Sequence, residues 1–314
     1  MEIISDLTGF TAKWGPAVLT LGDFDGLHRG HRKLIERNIR TAKKQGYAPV
    51  LVTYEPSPKK VLGKLRSYQR IYTKEEKIII LQQFDLRAAV FIPFTEELAK
   101  TPAHRFLKEI LLEKLLARHI ILGYDHHFGR NRHGHYHYLK KAAHKYGFSV
   151  EQMKPVLYKR KVISSTRIRE CLSEGKLADA NAMLGDPFLI RGPVIRGKGR
   201  GKQIGIPTIN ISLAEDKMVP KAGVYFGIAK YGGEYYRALM NVGFNPTFAN
   251  VNLSVEAHLL NFNKEIYGET VRLYFLRRLR DEKKFPSVEK LVNQIHKDIE
   301  KGRKLKVKGF SVSV

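Results

Sequence analysis

The strongest constraint on the fold is a change of hydrophobic rhythm near Gly185. Before it, short apolar runs alternate with helical patterns. Ala17–Leu21, Pro49–Thr53, Ala88–Ile92 and His119–Leu122 read as buried strands, with helices over Arg32–Lys44, Lys74–Phe84 and Ala103–Leu116 between them. That alternation argues for a parallel sheet with helices on both faces. A further helical stretch, Thr166–Leu184, has a break signalled by Gly175. Beyond it come short β-rich runs, Phe188–Ile195, Gly223–Lys230, Glu234–Val242, Leu253–Leu260 and Thr270–Phe275, separated by turn signals such as Gly232-Gly233 and Asn245-Pro246. These predict an antiparallel sheet or small barrel, followed by a helix over Pro286–Lys301. With 314 residues the chain suits two domains, expected at 1–184 and 185–314.

Within the first half, the stretch Leu21-Gly22-Asp23-Phe24-Asp25-Gly26-Leu27-His28-Arg29-Gly30-His31 joins the first strand to the first helix. In open parallel sheets ligands bind beyond the carboxyl ends of the strands. A helix N-terminus there favours anions. His28 and His31 are placed to donate hydrogen bonds to phosphate oxygens, while Gly22, Gly26 and Gly30 let the backbone come close. The chemistry implied is nucleotidyl transfer, which asks a protein for positioning and charge stabilisation. Gly123-Tyr124-Asp125-His126-His127-Phe128-Gly129-Arg130 follows a later strand and falls at the same edge. Its histidines, through His137, have no regular metal-ligand spacing. Ser164, Ser165 and Thr166 precede a helical pattern, where hydroxyls cap the helix or, with Arg167, hold phosphates.

In the second half, Gly197-Lys198-Gly199-Arg200-Gly201-Lys202 is a basic glycine-rich loop suited to wrapping phosphates, though it is not a P-loop. Thr208 and Asn210, two residues apart, offer oxygens from one face of a strand to a Mg²⁺ ion. Glu256 projects from a strand and could accept the proton of a substrate hydroxyl.

Taken in order, these segments resemble the prokaryotic bifunctional riboflavin kinase/FMN adenylyltransferases. The resemblance rests on G-x-F-D-G-x-H-x-G-H from Gly22 to His31, G-x-D-x-x-F-G from Gly123 to Gly129, and Ser164 to Arg169. It continues with Gly205-Ile206-Pro207-Thr208-Ile209-Asn210, Asn241 to Thr247, Glu256 to Phe262 with Tyr267-Gly268, and Arg280 to Phe285. The resemblance implies a Rossmann-like α/β adenylyltransferase domain followed by a six-stranded riboflavin-kinase barrel, with ATP, Mg²⁺ and flavin as reactants. By the same likeness His28, His31 and Glu256 are catalytic. Gly22, Asp23, Phe24, Gly30, Ser164, Ser165, Thr166, Arg167, Lys198, Gly199 and Lys202 bind nucleotide, Asp125 and Arg280 meet flavin, and Thr208 and Asn210 hold Mg²⁺. The chain departs from the family pattern at Asp23, His126, Lys202, Ile206 and Ile209. The alternative is a chain that keeps one activity, its other half being a flavin-binding or nucleic-acid-binding regulatory module.

Bulk composition narrows the setting. A single cysteine, Cys171, excludes an internal disulfide framework, and the N-terminus lacks a secretory pattern, so a cytoplasmic protein without membrane partners is expected. The net charge of +26 attracts polyanions in general; the basic residues are scattered, so a nucleic-acid partner is not expected.

Overall fold

The computed structural model describes the chain except residues 9–11, 64–67, 198, 248–249, 306, 308 and 311–314, and except the side chains of residues 200, 244–247 and 250–252. The chain divides into two compact units, one comprising Met1–Gln69 and Lys77–Ser164, the other Arg70–Glu76 and Ser165–Val314. The helical pair Ser165–Ser173 and Leu177–Leu184, assigned from sequence to the first domain, thus groups with the second unit, as does the short excursion Arg70–Glu76.

The first unit is built on a six-stranded parallel sheet. Its strands are β1 (Glu2–Ile4), β2 (Ala17–Leu21), β3 (Ala48–Tyr54), β4 (Ala88–Ile92), β5 (Ala117–Leu122) and β6 (Ser149–Gln152), in the order β1-β4-β3-β2-β5-β6. Every residue of β2 and β4 is buried, which is why both read as unbroken apolar runs. The order reverses at β2: β3 and β5 flank it on opposite sides, each paired in parallel. A reversal of this kind opens a crevice at the carboxyl ends of the strands. Two elements differ from expectation. The first helix runs Arg29–Gln45, three residues earlier than its apolar stripe suggests, so His31 lies inside its first turn. The stretch expected as a helix over Ala103–Leu116 is a short turn, Ala103–Arg105, continued by a π-helix over Phe106–Lys114.

A small hairpin, β7 (Leu157–Tyr158) with β8 (Lys161–Val162), ends this unit. The second unit contains a closed barrel of β9 (Phe188–Ile195), β10 (Ile209–Ile211), β11 (Gly223–Tyr231), β12 (Glu234–Thr247), β13 (Asn250–Leu259) and β14 (Thr270–Arg280), in the order β10-β13-β12-β11-β14-β9. All its pairings are antiparallel. Along β13 Val255, Ala257 and Leu259 are buried and Ser254, Glu256 and His258 half-buried, the alternation of a strand with one face in a core. The terminal helix, Val288–Arg303, is capped by Ser287, whose hydroxyl accepts from the Lys290 N–H.

Candidate active sites in the two units

In the first unit the chain leaves β2 through a sharp turn. Phe24 (φ 48°) and Leu27 (φ 39°) adopt left-handed backbone conformations, unusual for bulky residues. Burial holds them there, since Phe24 is 1% and Leu27 0% exposed. The turn ends at His28, the N-cap of helix Arg29–Gln45. Its Nδ1 accepts from the His31 backbone N–H at 3.4 Å, which leaves the ring proton on Nε2. The His28 and His31 rings stack at 3.7 Å and 15°, and Phe24 meets His31 edge-on at 5.1 Å. Gly30 fits closely under this stack, because a Cβ there would lie 3.1 Å from the His28 ring and shift it by a few tenths of an ångström. Gly22 is constrained in the same way by the Phe24 ring.

Both imidazoles are held neutral. Burial lowers the pKa of His28 to about 4, opposed in part by Asp25. Burial, then His28, Lys77 and Lys59, lowers that of His31 well below the usual value. Around them lies a polar frame in which motif residues Asp23 and Asp25 accept from side chains outside the motif. The Asp23 carbonyl accepts from Thr53 Oγ1 at 3.0 Å and Lys77 Nζ at 2.9 Å, and its carboxylate Oδ2 accepts from Ser57 Oγ at 3.0 Å. Burial, reinforced by Asp25, raises the Asp23 pKa against the pull of Lys77 and Lys59. Asp25, 1% exposed, accepts from the Tyr68 hydroxyl at 3.2 Å. Two neutral imidazoles beside buried Lys77 and half-buried Lys59 form a cradle for phosphate oxygens, with donors fixed before any ligand arrives.

The other expected residues of this site lie as follows. Asp125 is exposed on the loop after β5, and its carbonyl bonds the His127 ring. His126 is turned inward, and burial lowers its pKa to about 4. Ser164 ends the first unit, while Ser165, Thr166 and Arg167 open a helix of the second.

The second unit carries a different constellation. In the barrel register Glu256 stands directly opposite Asn210 on β10 and directly opposite Asn241 on β12. Residues opposite each other in a ladder share a face, so one carboxylate is flanked by two carboxamides. All three line a cavity of about 370 Å³, together with Thr208, Arg280 and Glu282. Phe285 and the helix residues Leu291 and Ile295 add an apolar wall. Arg280 is fixed by an ion pair with Asp298 at 2.8 Å and lies over the Phe285 ring. Gly199 and Gly201 bring the preceding loop to the cavity rim. A Cβ at Gly197 would collide with the Asn210 carboxamide, and one at Gly201 would lie 3.2 Å from Thr208 Oγ1. The loop backbone is therefore seated against the two oxygen-bearing residues, an arrangement open only to glycine. Lys198 lies outside the described residues, and Lys202 forms an exposed ion pair with Glu265 at 3.0 Å.

Sequence reasoning did not single out Lys77 and Ser57 in the first site, where Asp25 stood in the motif without an assigned role, nor Asn241 and Glu282 as members of the second. Asn241 had an available signal, since it lies in the segment from Asn241 to Thr247. Lys77 had none, because a lysine in the first turn of a helix reads as surface.

Comparison with known proteins gives concordant results over both units. A family model described as FAD synthetase matches residues 11–167, and one described as riboflavin kinase matches 184–306. A bifunctional riboflavin kinase/FMN adenylyltransferase of Buchnera aphidicola is 37% identical over 289 residues, 90% of this chain and 92% of that protein. One from Listeria monocytogenes is 34% identical over 90% of each chain. A crystal structure titled as a macrolide-efflux protein from Streptococcus pneumoniae superposes with a TM-score of 0.86 at 30% identity, covering 98% of this chain and 100% of that one. Among the described residues no helix is long and apolar enough to cross a membrane.

Proposed function

The chain belongs to the bifunctional riboflavin kinase/FMN adenylyltransferase family, and on that premise we propose how its residues divide the two reactions. One reaction phosphorylates riboflavin to FMN with ATP. The other joins FMN to the adenylyl group of ATP, giving FAD and pyrophosphate.

The kinase step belongs to the cavity around Glu256. The observation that carries this reading is the register that sets Glu256 between Asn210 and Asn241. Glu256 accepts the proton of the riboflavin 5′-hydroxyl as its oxygen attacks the γ-phosphorus and the bond to the bridging oxygen breaks, releasing ADP. Asn241 steadies the carboxylate, and the apolar wall of Phe285, Leu291 and Ile295 takes the flavin ring, with Arg280 at its polar end. Thr208 and Asn210 would hold Mg²⁺: a hydroxyl and a carboxamide are hard oxygen donors, and both line the cavity. When bound, Mg²⁺ neutralises phosphate charge.

The adenylyltransferase step belongs to the turn from Gly22 to His31. A phosphate oxygen of FMN attacks the α-phosphorus of ATP, and pyrophosphate leaves. His28 donates from Nε2, and His31 joins it in stabilising charge that gathers on the departing oxygens. Asp23, Phe24 and the glycines shape the backbone around the triphosphate. By the family likeness Ser164, Ser165, Thr166 and Arg167 also contact nucleotide, and Asp125 meets flavin at the mouth of the loop after β5.

The test is a time course with riboflavin, ATP and Mg²⁺, its products separated by chromatography. FMN is expected first and FAD after it, and FMN supplied directly gives FAD without a lag. Absence of both products would overturn the reading.

A further inference from the structure

Three buried polar groups converge on the turn from Gly22 to His31 without the full set of partners that burial demands. Lys77 is 3% exposed, and among the described residues its ammonium makes one hydrogen bond, to the Asp23 carbonyl at 2.9 Å. An ammonium has three donors, so two remain for something else. His31 Nδ1 and Asp23 Oδ1 are buried and have no hydrogen-bond partner among the described residues. Lys77 acts electrostatically on both His31 and Asp23, so its ammonium lies near both groups. A cation held away from water beside two neutral imidazoles is costly unless an anion completes it.

We propose that Lys77 is a phosphate-binding residue of the adenylyltransferase site, whose two unused N–H donors take oxygens of the β- and γ-phosphates of ATP and hold them as pyrophosphate departs. The inference rests on the reading that this turn is the nucleotide site. It gives Lys77 two tasks at once. One N–H fixes the Asp23 carbonyl and with it the turn, and the other two meet the ligand. Lysine suits a triphosphate that changes shape during the reaction, because its ammonium acts as a point charge with rotatable donors.

The decisive readout is inhibition of FMN-to-FAD conversion by added pyrophosphate, compared with inhibition by adenosine, which has no phosphate. In Lys77→Met the inhibition constant for pyrophosphate and the KM for ATP are expected to rise about 10- to 100-fold, as for a lost charge-assisted hydrogen bond. Inhibition by adenosine stays within about twofold, riboflavin phosphorylation is unchanged, and Lys77→Arg recovers part of the loss. His31→Ala is run beside it. If His31→Ala weakens pyrophosphate inhibition while Lys77→Met leaves it unchanged, the role of Lys77 is overturned and the site stands. If His31→Ala also changes nothing, the nucleotide site itself is misplaced. Should Lys77→Met not fold, Lys77→Gln is assayed in its place. Weakened inhibition by pyrophosphate with inhibition by adenosine unchanged supports the assignment, and unchanged inhibition by pyrophosphate contradicts it.

Discussion

Two buried lysines in this protein face opposite circumstances. In the second unit Lys217 is 3% exposed and uses all its donors: Glu76 Oε2 at 2.6 Å, the Ile71 carbonyl at 2.6 Å and the Leu189 carbonyl at 2.8 Å. The rings of Tyr72 and Phe188 stand 4.9 Å and 4.6 Å from its nitrogen. Glu76, fully buried, also accepts from the backbone N–H groups of Thr73 and Arg191, so no charge in this cluster lacks a partner. In the first unit Lys77 is equally buried and, among the described residues, uses one donor. The contrast separates two uses of a buried cation. Lys217 ties the excursion Arg70–Glu76 to the barrel strands and is a structural element. Lys77 holds part of its hydrogen-bonding capacity for a ligand.

The comparison predicts effects of different size and sign. The largest belongs to Lys217→Met, which leaves Glu76 as an unpaired buried charge. Breaking such a pair costs ~3–5 kcal/mol, and the loss is read as heat-inactivation of riboflavin phosphorylation at a temperature the wild type survives. Next comes pH. An unfolded histidine titrates near the ordinary value, whereas folded His28 does so at about 4. Between those values the unfolded chain binds more protons, so the first unit loses stability as pH falls, by ~3 kcal/mol for this residue by pH 4. His31 adds a loss of the same sign. The single tryptophan, Trp14, belongs to this unit and follows its urea unfolding. His28→Gln is expected to flatten the dependence of the midpoint on pH.

Lys77→Met gives a smaller effect on stability, and one opposite in sign to that of Lys217→Met. Removing an incompletely partnered buried charge leaves the Trp14-monitored midpoint unchanged or raises it by ~1 kcal/mol, although phosphate binding suffers, the exchange of stability for function common at binding sites. A destabilisation as large as that of Lys217→Met would erase the distinction between the two lysines. Smallest is Gly30→Ala. Its methyl group displaces the His28 ring by a few tenths of an ångström, while alanine favours the helix by ~0.5–1 kcal/mol. FAD formation is expected to slow by roughly tenfold with no loss of stability, read from the initial rate and from Trp14 fluorescence.

Much of this architecture was legible from local pattern. Ala17–Leu21 and Ala88–Ile92 coincide with observed strands because central parallel strands are buried on both faces and show unbroken apolar runs. Glu2–Ile4 and Ser149–Gln152 did not stand out, since both are short edge strands with exposed residues. The helix start moved to Arg29 because the His28 ring caps it, a bond that hydrophobic spacing cannot signal. His28, His31, Glu256, Thr208 and Asn210 were legible as residue types in motifs. The partners that give them meaning are set by register and long-range packing: Asn241 meets Glu256 through the β12–β13 ladder, and Lys77 reaches Asp23 across 54 positions of sequence.

The central claim is that imidazoles in one unit and a carboxylate in the other serve separate chemical steps. The most direct measurement assays both steps in Glu256→Gln and His31→Ala. Glu256→Gln is predicted to lose FMN formation by roughly 10²–10⁴-fold while converting supplied FMN to FAD at the wild-type rate. His31→Ala is predicted to form FMN normally and to lose FAD formation by about 10²–10³-fold. Equal damage to both steps by either substitution would contradict the account.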